Sequence, residues 1–325
     1  MTSSDRIAGV LSPVVTPFTP ELDVDIPRFV AHCRWLLSQN CGLALLGTNS
    51  EANSLSLEER IAMIDAVVAA GFDPSRMMPG TGCCSVPETV ALTRHAVTHG
   101  CAGVLMLPPF YYKSVPEEGL YRYFSEIVDK VGDARLRVYL YHIPPVAIVG
   151  ITPKLVERLL KAYPTAIAGM KDSSGDWANT KTFLQGFAKS GFDVFVGSES
   201  FLLQNMRHGG AGTISATANV NPAAIDALFR GWHARDAEKK QAGLDLVRKT
   251  IGEKYLMIAA LKQTIAIHAD DPNWVRVRPP LLALDADQGA SLQSELASIG
   301  FTMPGLSYAS APRHPTSLAP SFSST

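Results

Sequence analysis

Short apolar runs alternate along the chain with longer segments in which apolar residues recur three and four positions apart. The short runs are apolar on both faces, which is typical of strands in a buried parallel sheet. They predict eight strands, over residues 9–15, 42–46, 77–80, 103–107, 136–141, 166–171, 193–197 and 212–214. The longer segments predict amphipathic helices with one buried face each, as at Leu57, Ile61 and Ile64.

The order of these elements predicts the architecture. Eight evenly spaced strand–helix units indicate the α/β class and a closed (β/α)8 TIM barrel over residues 1–220. No G-x-G-x-x-G follows the first strand, which argues against an open dinucleotide-binding sheet. Residues 221–303 keep the helical pattern without strands and predict additional C-terminal helices packed on the barrel. Residues 304–325 are rich in Ser, Pro and Ala and predict a flexible tail.

Composition narrows the functional classes. With 46% hydrophobic and 18% charged residues, the 325-residue chain is expected to bury a large core. The formal net charge of −1 argues against a nucleic-acid partner, which would require a basic surface. The sequence has neither a run of about 18 apolar residues nor a signal-peptide pattern, so no membrane partner is expected. Five cysteines without a C-x-x-C pair favour reduced thiols and a cytoplasmic location.

Lys171 is the sharpest candidate for chemistry, because it ends a predicted apolar strand. Reactive groups of (β/α)8 barrels lie at the C-terminal ends of the strands. Desolvation at such a position disfavours the ammonium form, and a neutral amine can attack a ketone to form an imine. The strand pattern alone leaves a second interpretation equally open, in which Lys171 reaches solvent or pairs with Asp172.

Three further polar residues end predicted strands. Tyr141 offers a phenol that can move protons, although a core tyrosine with a satisfied hydroxyl is the more common case. Thr48 and Asn49 offer a hydroxyl, an amide and backbone N–H groups suited to a carboxylate. Taken alone, they are equally typical of a turn.

Five short motifs follow the predicted strands in a fixed order. They read G-T-x-x-E from Gly47, P-P-F-Y-Y from Pro108, Y-x-x-P from Tyr141, G-x-K-D from Gly169 and G-T-I-S-A-T-A-N from Gly212. Together they resemble the dihydrodipicolinate synthase / N-acetylneuraminate lyase family of pyruvate-dependent class I aldolases. The resemblance covers nearly the whole chain, from about residue 9 to the C-terminal helices.

The resemblance implies a role for each matching residue. Lys171 would be the Schiff-base lysine, and Tyr141 the phenol that relays protons over the imine. Thr48 would link Tyr141 to Tyr111, which in many family members reaches in from a neighbouring subunit. The resemblance also implies no metal and no organic cofactor, and a homo-oligomer, either a dimer or a tetramer of tight dimers.

The carboxylate of the 2-oxo acid substrate has its own expected site. By the same resemblance, Thr48 and Asn49 would bind it, with Asn49 in place of the usual Thr or Ser. The backbone carbonyl of Ile214 would line the same pocket.

Several departures from the family pattern bear on the substrate. Val146 stands where dihydrodipicolinate synthases carry an arginine that holds the carboxylate of aspartate semialdehyde. Leu57 and Arg60 replace the histidines of lysine-inhibited enzymes, and Ala216 replaces a serine of sialic acid lyases. These differences argue against lysine biosynthesis, lysine feedback and sialic acid.

The variable end of the substrate is expected to meet His142, Ser198 and Glu199, although each is equally typical of a solvated loop. The predicted function is cleavage or formation of a C–C bond between pyruvate and an aldehyde. Candidate substrates are 2-keto-3-deoxy acids, hydroxylated 2-oxo acids and aryl-substituted pyruvate adducts. The alternatives are a 2-keto-3-deoxy acid dehydratase, a 4-hydroxy-tetrahydrodipicolinate synthase, and a barrel that binds ligands without catalysis.

Overall fold

The computed structural model describes residues 6–307. Seven parallel strands form one curved sheet in the order β2-β1-β7-β6-β5-β4-β3. The strands are β1 (Gly9–Ser12), β2 (Gly42–Leu43), β3 (Val104–Met106), β4 (Val138–His142), β5 (Ile167–Asp172), β6 (Asp193–Val196) and β7 (Gly212–Ile214). Residues 308–325, most of the predicted flexible tail, lie outside the described part of the chain.

The remaining predicted strand, over residues 77–80, joins β2 to β3 through isolated pairings and so closes the ring. Met77 pairs with Leu43 of β2, and Gly80 pairs with Leu105 of β3, both in parallel. Pro79 lies between these pairings and has no N–H to donate, so a continuous ladder is interrupted there. The predicted (β/α)8 barrel is therefore confirmed, although one of its eight strands is reduced to two isolated bridges.

The barrel interior is a packed core rather than a channel. Alternate strand residues point inward and form one buried cluster of Leu11, Ala44, Met78, Leu105, Tyr139, Tyr141, Ala168, Phe195 and Ile214. Tyr141 is the polar member at the C-terminal end of its strand. The core therefore holds this phenol at the end of the barrel where the strands have their C-termini.

Helices cover the outside of the sheet. The first eight are α1 (Ile26–Ser38), α2 (Leu57–Ala69), α3 (Val86–Thr98), α4 (Glu117–Val131), α5 (Pro144–Ala147), α6 (Pro153–Ala162), α7 (Trp177–Phe187) and α8 (Leu202–Arg207). Their starts follow local sequence signals, as where Ser56 and Glu59 form a capping box at the start of α2. Their apolar faces pack on the strands in two large clusters.

Four further helices follow the last strand: α9 (Pro222–Arg230), α10 (Ala237–Gly252), α11 (Met257–Ala269) and α12 (Ala286–Ser298). Helix α9 packs on β1, whereas α10, α11 and α12 pack on one another. The segment after α12 contacts α1, because the Trp35 indole of α1 donates to the carbonyl of Pro304. The division into a barrel and a C-terminal extension at residue 220 stays a prediction. No helix within residues 6–307 is long and apolar enough to cross a membrane.

Candidate active site

Lys171 and Tyr141 are neighbours across two adjacent strands. They are register partners in the parallel pairing of β4 and β5. The Lys171 Nζ donates to the Tyr141 hydroxyl at 3.2 Å and lies 4.3 Å from the centroid of its ring. Each residue is only 2% exposed. The strand register therefore fixes an amine and a phenol side by side in a largely dehydrated site.

The structure does not pair Lys171 with Asp172. The Asp172 carboxylate accepts hydrogen bonds from the Ser174 N–H at 2.9 Å, the Thr180 hydroxyl at 2.6 Å and the Asn179 amide at 3.0 Å. Asp172 is thus committed to the loop and helix that follow it. Lys171 points to Tyr141 instead, and its amine faces the pocket.

Thr48 extends this arrangement to a third strand end. Its hydroxyl lies 3.2 Å from the Tyr141 hydroxyl, so Lys171, Tyr141 and Thr48 form a continuous chain of hydrogen-bonding groups. The turn that carries Thr48 is braced by Ser50, whose Oγ accepts from the Gly47 N–H at 3.1 Å. Thr16 bonds the Ser50 carbonyl at 2.6 Å. Asn49 lies on the same turn and also lines the pocket.

A buried ion pair also stabilises the turn that carries Thr48. Glu51 has a left-handed backbone with φ 57°, an unfavourable conformation for a residue with a side chain. Its carboxylate pairs with Lys262 of α11 and also accepts from the Arg278 N–H at 3.0 Å. Burial lowers the pKa of Lys262 to about 8, with Glu51 opposing that shift. These contacts stabilise the strained turn and join α11 to the active site.

The three strand ends open into a pocket of about 400 Å³. Around Lys171, the polar lining residues Thr48, Asn49 and Ser173 come from the segments that follow the strands, and Ser198 lines the pocket as well. Its far wall is formed largely by apolar residues from the loop after β4 and the start of α11: Ile143, Pro145, Val146, Leu256, Met257 and Ile258. At Gly197 a Cβ would lie 1.9 Å from the Ser173 Oγ, so the chain needs glycine at this close approach.

Arg248 is a pocket residue that the sequence analysis missed. It projects from α10 and lines the pocket, and its guanidinium pairs with Glu199 at 2.9 Å. Glu199 is 1% exposed and also accepts hydrogen bonds from Ser215 and Thr217. No sequence signal marks Arg248, because it lies in the middle of an ordinary helix, far along the chain from every strand end. Its place follows only from how α10 packs.

The residues predicted at the variable end have different positions. Ser198 lines the pocket, as expected. Glu199 is buried beneath Arg248 and holds that residue rather than facing the pocket itself. His142 is also buried, and its Nδ1 accepts from the Ile151 N–H at 2.9 Å. Burial lowers the pKa of His142, against the opposing charge of Asp172. His142 therefore positions the loop after β4.

Two other predicted residues, Ile214 and Tyr111, are not among the residues that line the pocket. Ile214 is fully buried at the end of β7 within the barrel core. Tyr111 is 72% exposed in the loop after β3, where its ring stands edge-on to Tyr112 at 5.3 Å. Within one chain, Tyr111 is thus presented outward.

Two of the substitutions that distinguish this chain from the family pattern line the pocket. Val146 and Ala216 both line it, and neither offers a charge or a hydrogen bond from its side chain. Arg60 is buried and donates to the Ala52 carbonyl at 2.9 Å.

Among residues 6–307, one group of side chains could hold a metal ion, and its members Asp65, His95 and His99 are not pocket residues.

A buried amine beside a phenol at the C-terminal ends of barrel strands defines a lyase of the class I aldolase type. Comparison with known sequences agrees. The model of the dihydrodipicolinate synthetase family matches residues 6–299. The chain belongs to this family.

Individual relatives are similar over most of their length. An uncharacterised DapA-like lyase of Chloroflexus aurantiacus is 34% identical over 289 residues, which cover 88% of this chain and 95% of the relative. The crystal structure of dihydrodipicolinate synthase from Agrobacterium tumefaciens superposes with a TM-score of 0.82 at 31% identity, covering 90% and 99% of the two chains. The structure of YagE from Escherichia coli K12 in complex with pyruvate gives 0.82 at 28% identity, with the same coverage.

Proposed function

We propose that this enzyme forms an imine between Lys171 and pyruvate and uses it to cleave or form a C–C bond with an aldehyde. The observation that carries the proposal is the hydrogen-bonded chain Lys171–Tyr141–Thr48 in a dehydrated site. The similar structure of YagE, which is described as a complex with pyruvate, supports the choice of 2-oxo acid.

The reaction begins at the Lys171 amine. The neutral amine adds to the ketone carbon, and the carbinolamine then loses its hydroxyl as water to leave a protonated imine. Tyr141 lies 3.2 Å from this nitrogen and can give a proton to the departing hydroxyl. Thr48 can accept and return that proton through its contact with the phenol. The two hydroxyls thus serve as the general acid and base.

In the cleavage direction, the protonated imine accepts the electron pair of the breaking C–C bond. The substrate hydroxyl loses its proton as the aldehyde departs, and the remaining enamine takes up a proton on carbon. Hydrolysis of the resulting imine then releases pyruvate. Tyr141 is the group placed to receive and return these protons, because its hydroxyl is next to the reacting nitrogen.

The two ends of the pocket would hold the two ends of the substrate. Thr48 and Asn49 supply the donors for the carboxylate beside the imine, and Ser198 and Arg248 supply donors for the distal end. Glu199 already neutralises the guanidinium of Arg248. A distal end with uncharged hydroxyls, as in a 2-keto-3-deoxy sugar acid, fits this site better than a second carboxylate.

This assignment can be tested with three substrates. We expect pyruvate release from 2-keto-3-deoxy acids, measured by coupled lactate dehydrogenase, with kcat/KM well above that for condensation of pyruvate with aspartate semialdehyde. Preferred condensation would instead identify a 4-hydroxy-tetrahydrodipicolinate synthase. A 2-keto-3-deoxy acid that loses water without releasing pyruvate would identify a dehydratase that uses the same imine.

We further propose that the enzyme is a homo-oligomer in which Tyr111 approaches Thr48 of a partner subunit. The 72% exposure of Tyr111 on a loop beside a second exposed tyrosine supports this proposal. A fully active monomer, identified by sedimentation at assay concentration, would exclude it. A cytoplasmic location is part of the same proposal, supported by the five cysteines, all free thiols.

A further inference from the structure

A cluster of three metal-ligating side chains lies on the outer helical layer, away from the residues that line the pocket. His95 lies in the last turn of α3, and His99 follows four residues later at its C-terminal cap. Residues four apart on a helix lie on the same face. Asp65 lies on the adjacent helix α2 and faces both of them.

Their ligand atoms converge on a small volume. The His95 Nε2 lies 2.7 Å from the Asp65 Oδ1, and the His99 Nε2 lies 2.9 Å from the same oxygen. All three atoms lie within 4.8 Å of one another. The side chains of His95, His99 and Asp65 are 24%, 27% and 49% exposed, so an ion can reach them from solvent.

We propose that Asp65, His95 and His99 bind one divalent transition-metal ion of the Zn²⁺ or Ni²⁺ type, with water in the remaining positions. Imidazole nitrogen and carboxylate oxygen are the ligands that such ions take, at about 2.0–2.2 Å. An ion with such bonds separates neighbouring ligand atoms by about 3.0–3.4 Å. The two histidine–aspartate separations of 2.7 and 2.9 Å reach this range with shifts of a few tenths of an ångström, and rotation of the partly exposed imidazoles brings their two nitrogens, which lie within 4.8 Å of each other, to the same ion.

The proposed ion would connect two helices of the barrel. Two of its ligands come from α3 and the third from α2. The ion would therefore have a structural role, holding the two helices together, and would take no part in catalysis. Binding to the folded state alone stabilises that state by mass action. The chemistry at Lys171 would be independent of it, because none of the three residues lines the active-site pocket.

The test uses the full-length chain without a histidine tag, stripped with EDTA. The exposed thiol of Cys84 is a competing ligand, so Cys84→Ser serves as the parent. Calorimetric titration with Zn²⁺ is expected to show one site per chain and a rise in Tm that EDTA reverses. His95→Ala and His99→Ala should each weaken binding by at least about tenfold, the lower bound for losing even an outer partner of a ligand. Asp65→Asn should weaken it as well.

His233→Ala is the matched control, since His233 is an exposed histidine outside the cluster. It should bind Zn²⁺ like the parent. The proposal is overturned if the parent shows no saturable site, or if His95→Ala and His99→Ala bind as tightly as His233→Ala. Aldolase activity should be equal in the stripped and Zn²⁺-loaded parent, and a Zn²⁺-dependent activity would contradict the placement of the ion at this cluster.

Discussion

The near and far ends of the pocket are built from different parts of the fold. The near end consists of side chains on strand ends, where Lys171 and Tyr141 are held by the register of β4 and β5. The far end consists of the loop after β4, Arg248 of α10 and Met257 at the start of α11. Strand register leaves little freedom in position, whereas helices and loops can be exchanged with little effect on the barrel. The proposed function therefore assigns the shared imine chemistry to the near end and the choice of substrate to the far end.

Removing the amine at the near end should have the largest effect. Lys171→Met is expected to lower kcat roughly 10⁴–10⁶-fold, the range seen when a nucleophile is removed. The measurement is pyruvate release from the best 2-keto-3-deoxy acid, with circular dichroism as a check of the fold. Lys154→Ala removes a largely exposed lysine and should retain full activity. Retention of activity in Lys171→Met would remove the near end from the chemistry.

Tyr141→Phe should cost roughly 10²–10⁴-fold in kcat, because it removes the proton donor beside the Lys171 nitrogen but keeps the ring. The imine should still form, more slowly, so the rate of its formation in a rapid-quench experiment is the discriminating readout. A variant with normal imine formation and normal kcat would show that Tyr141 is only a core residue.

The turn at the near end depends on its anchor. Lys262→Met leaves the buried carboxylate of Glu51 without its cation and should lower the free energy of unfolding by about 3–5 kcal/mol. The double variant Glu51→Gln, Lys262→Met should recover part of this loss, as measured by urea denaturation. Lys254→Met breaks an exposed pair with Glu295 and should change little. Equal effects of the two lysine substitutions would contradict the proposed anchor.

At the far end, Arg248→Met should lower kcat/KM for the full substrate by roughly 10- to 100-fold, the cost of losing hydrogen bonds from a charged group. Pyruvate alone should label Lys171 at an unchanged rate, because it occupies only the near end. Arg248→Lys keeps a charge beside Glu199 and controls for the stability of that buried carboxylate. If labelling by pyruvate falls as much as kcat/KM does, the division between the two ends is wrong.

The smallest expected effect is on stability, at the end of the barrel that lies opposite the active site. Asp193 lies there, at the N-terminal end of β6. Burial raises the pKa of Asp193 from its ordinary 3.8 to about 6, against the attraction of Arg6 and a hydrogen bond from Tyr139. The folded protein therefore holds more protons than the unfolded chain between pH 4 and 6, so stability should fall as pH rises through this window, by about 1–2 kcal/mol. Asp193→Asn should flatten that fall in urea titrations, with kcat unchanged. An unaltered pH profile would contradict the shift.

The placement of Lys171 and Tyr141 at strand ends could be predicted because its sequence signals are local. An apolar run that ends in Lys171, and another that ends in Tyr141, identify strand ends without knowledge of the fold. The strand predicted over residues 77–80 is reduced to bridges because Pro79 cannot donate, and the proline itself was the available signal.

The far end could not be predicted in the same way. Arg248 enters the pocket through the packing of α10, which depends on contacts between residues distant in sequence. Glu199 was expected to meet the substrate, whereas in the structure it is buried and holds Arg248. The left-handed backbone of Glu51 is likewise a consequence of tertiary contacts with Lys262 and Arg278.

The most direct test of the central claim is to incubate the protein with pyruvate and borohydride and then map the modified peptide by mass spectrometry. We expect a single adduct on Lys171, equal in mass to pyruvic acid less one oxygen atom, and no adduct in Lys171→Ala. An adduct on any other lysine, or no adduct with the wild-type protein, would contradict the imine mechanism.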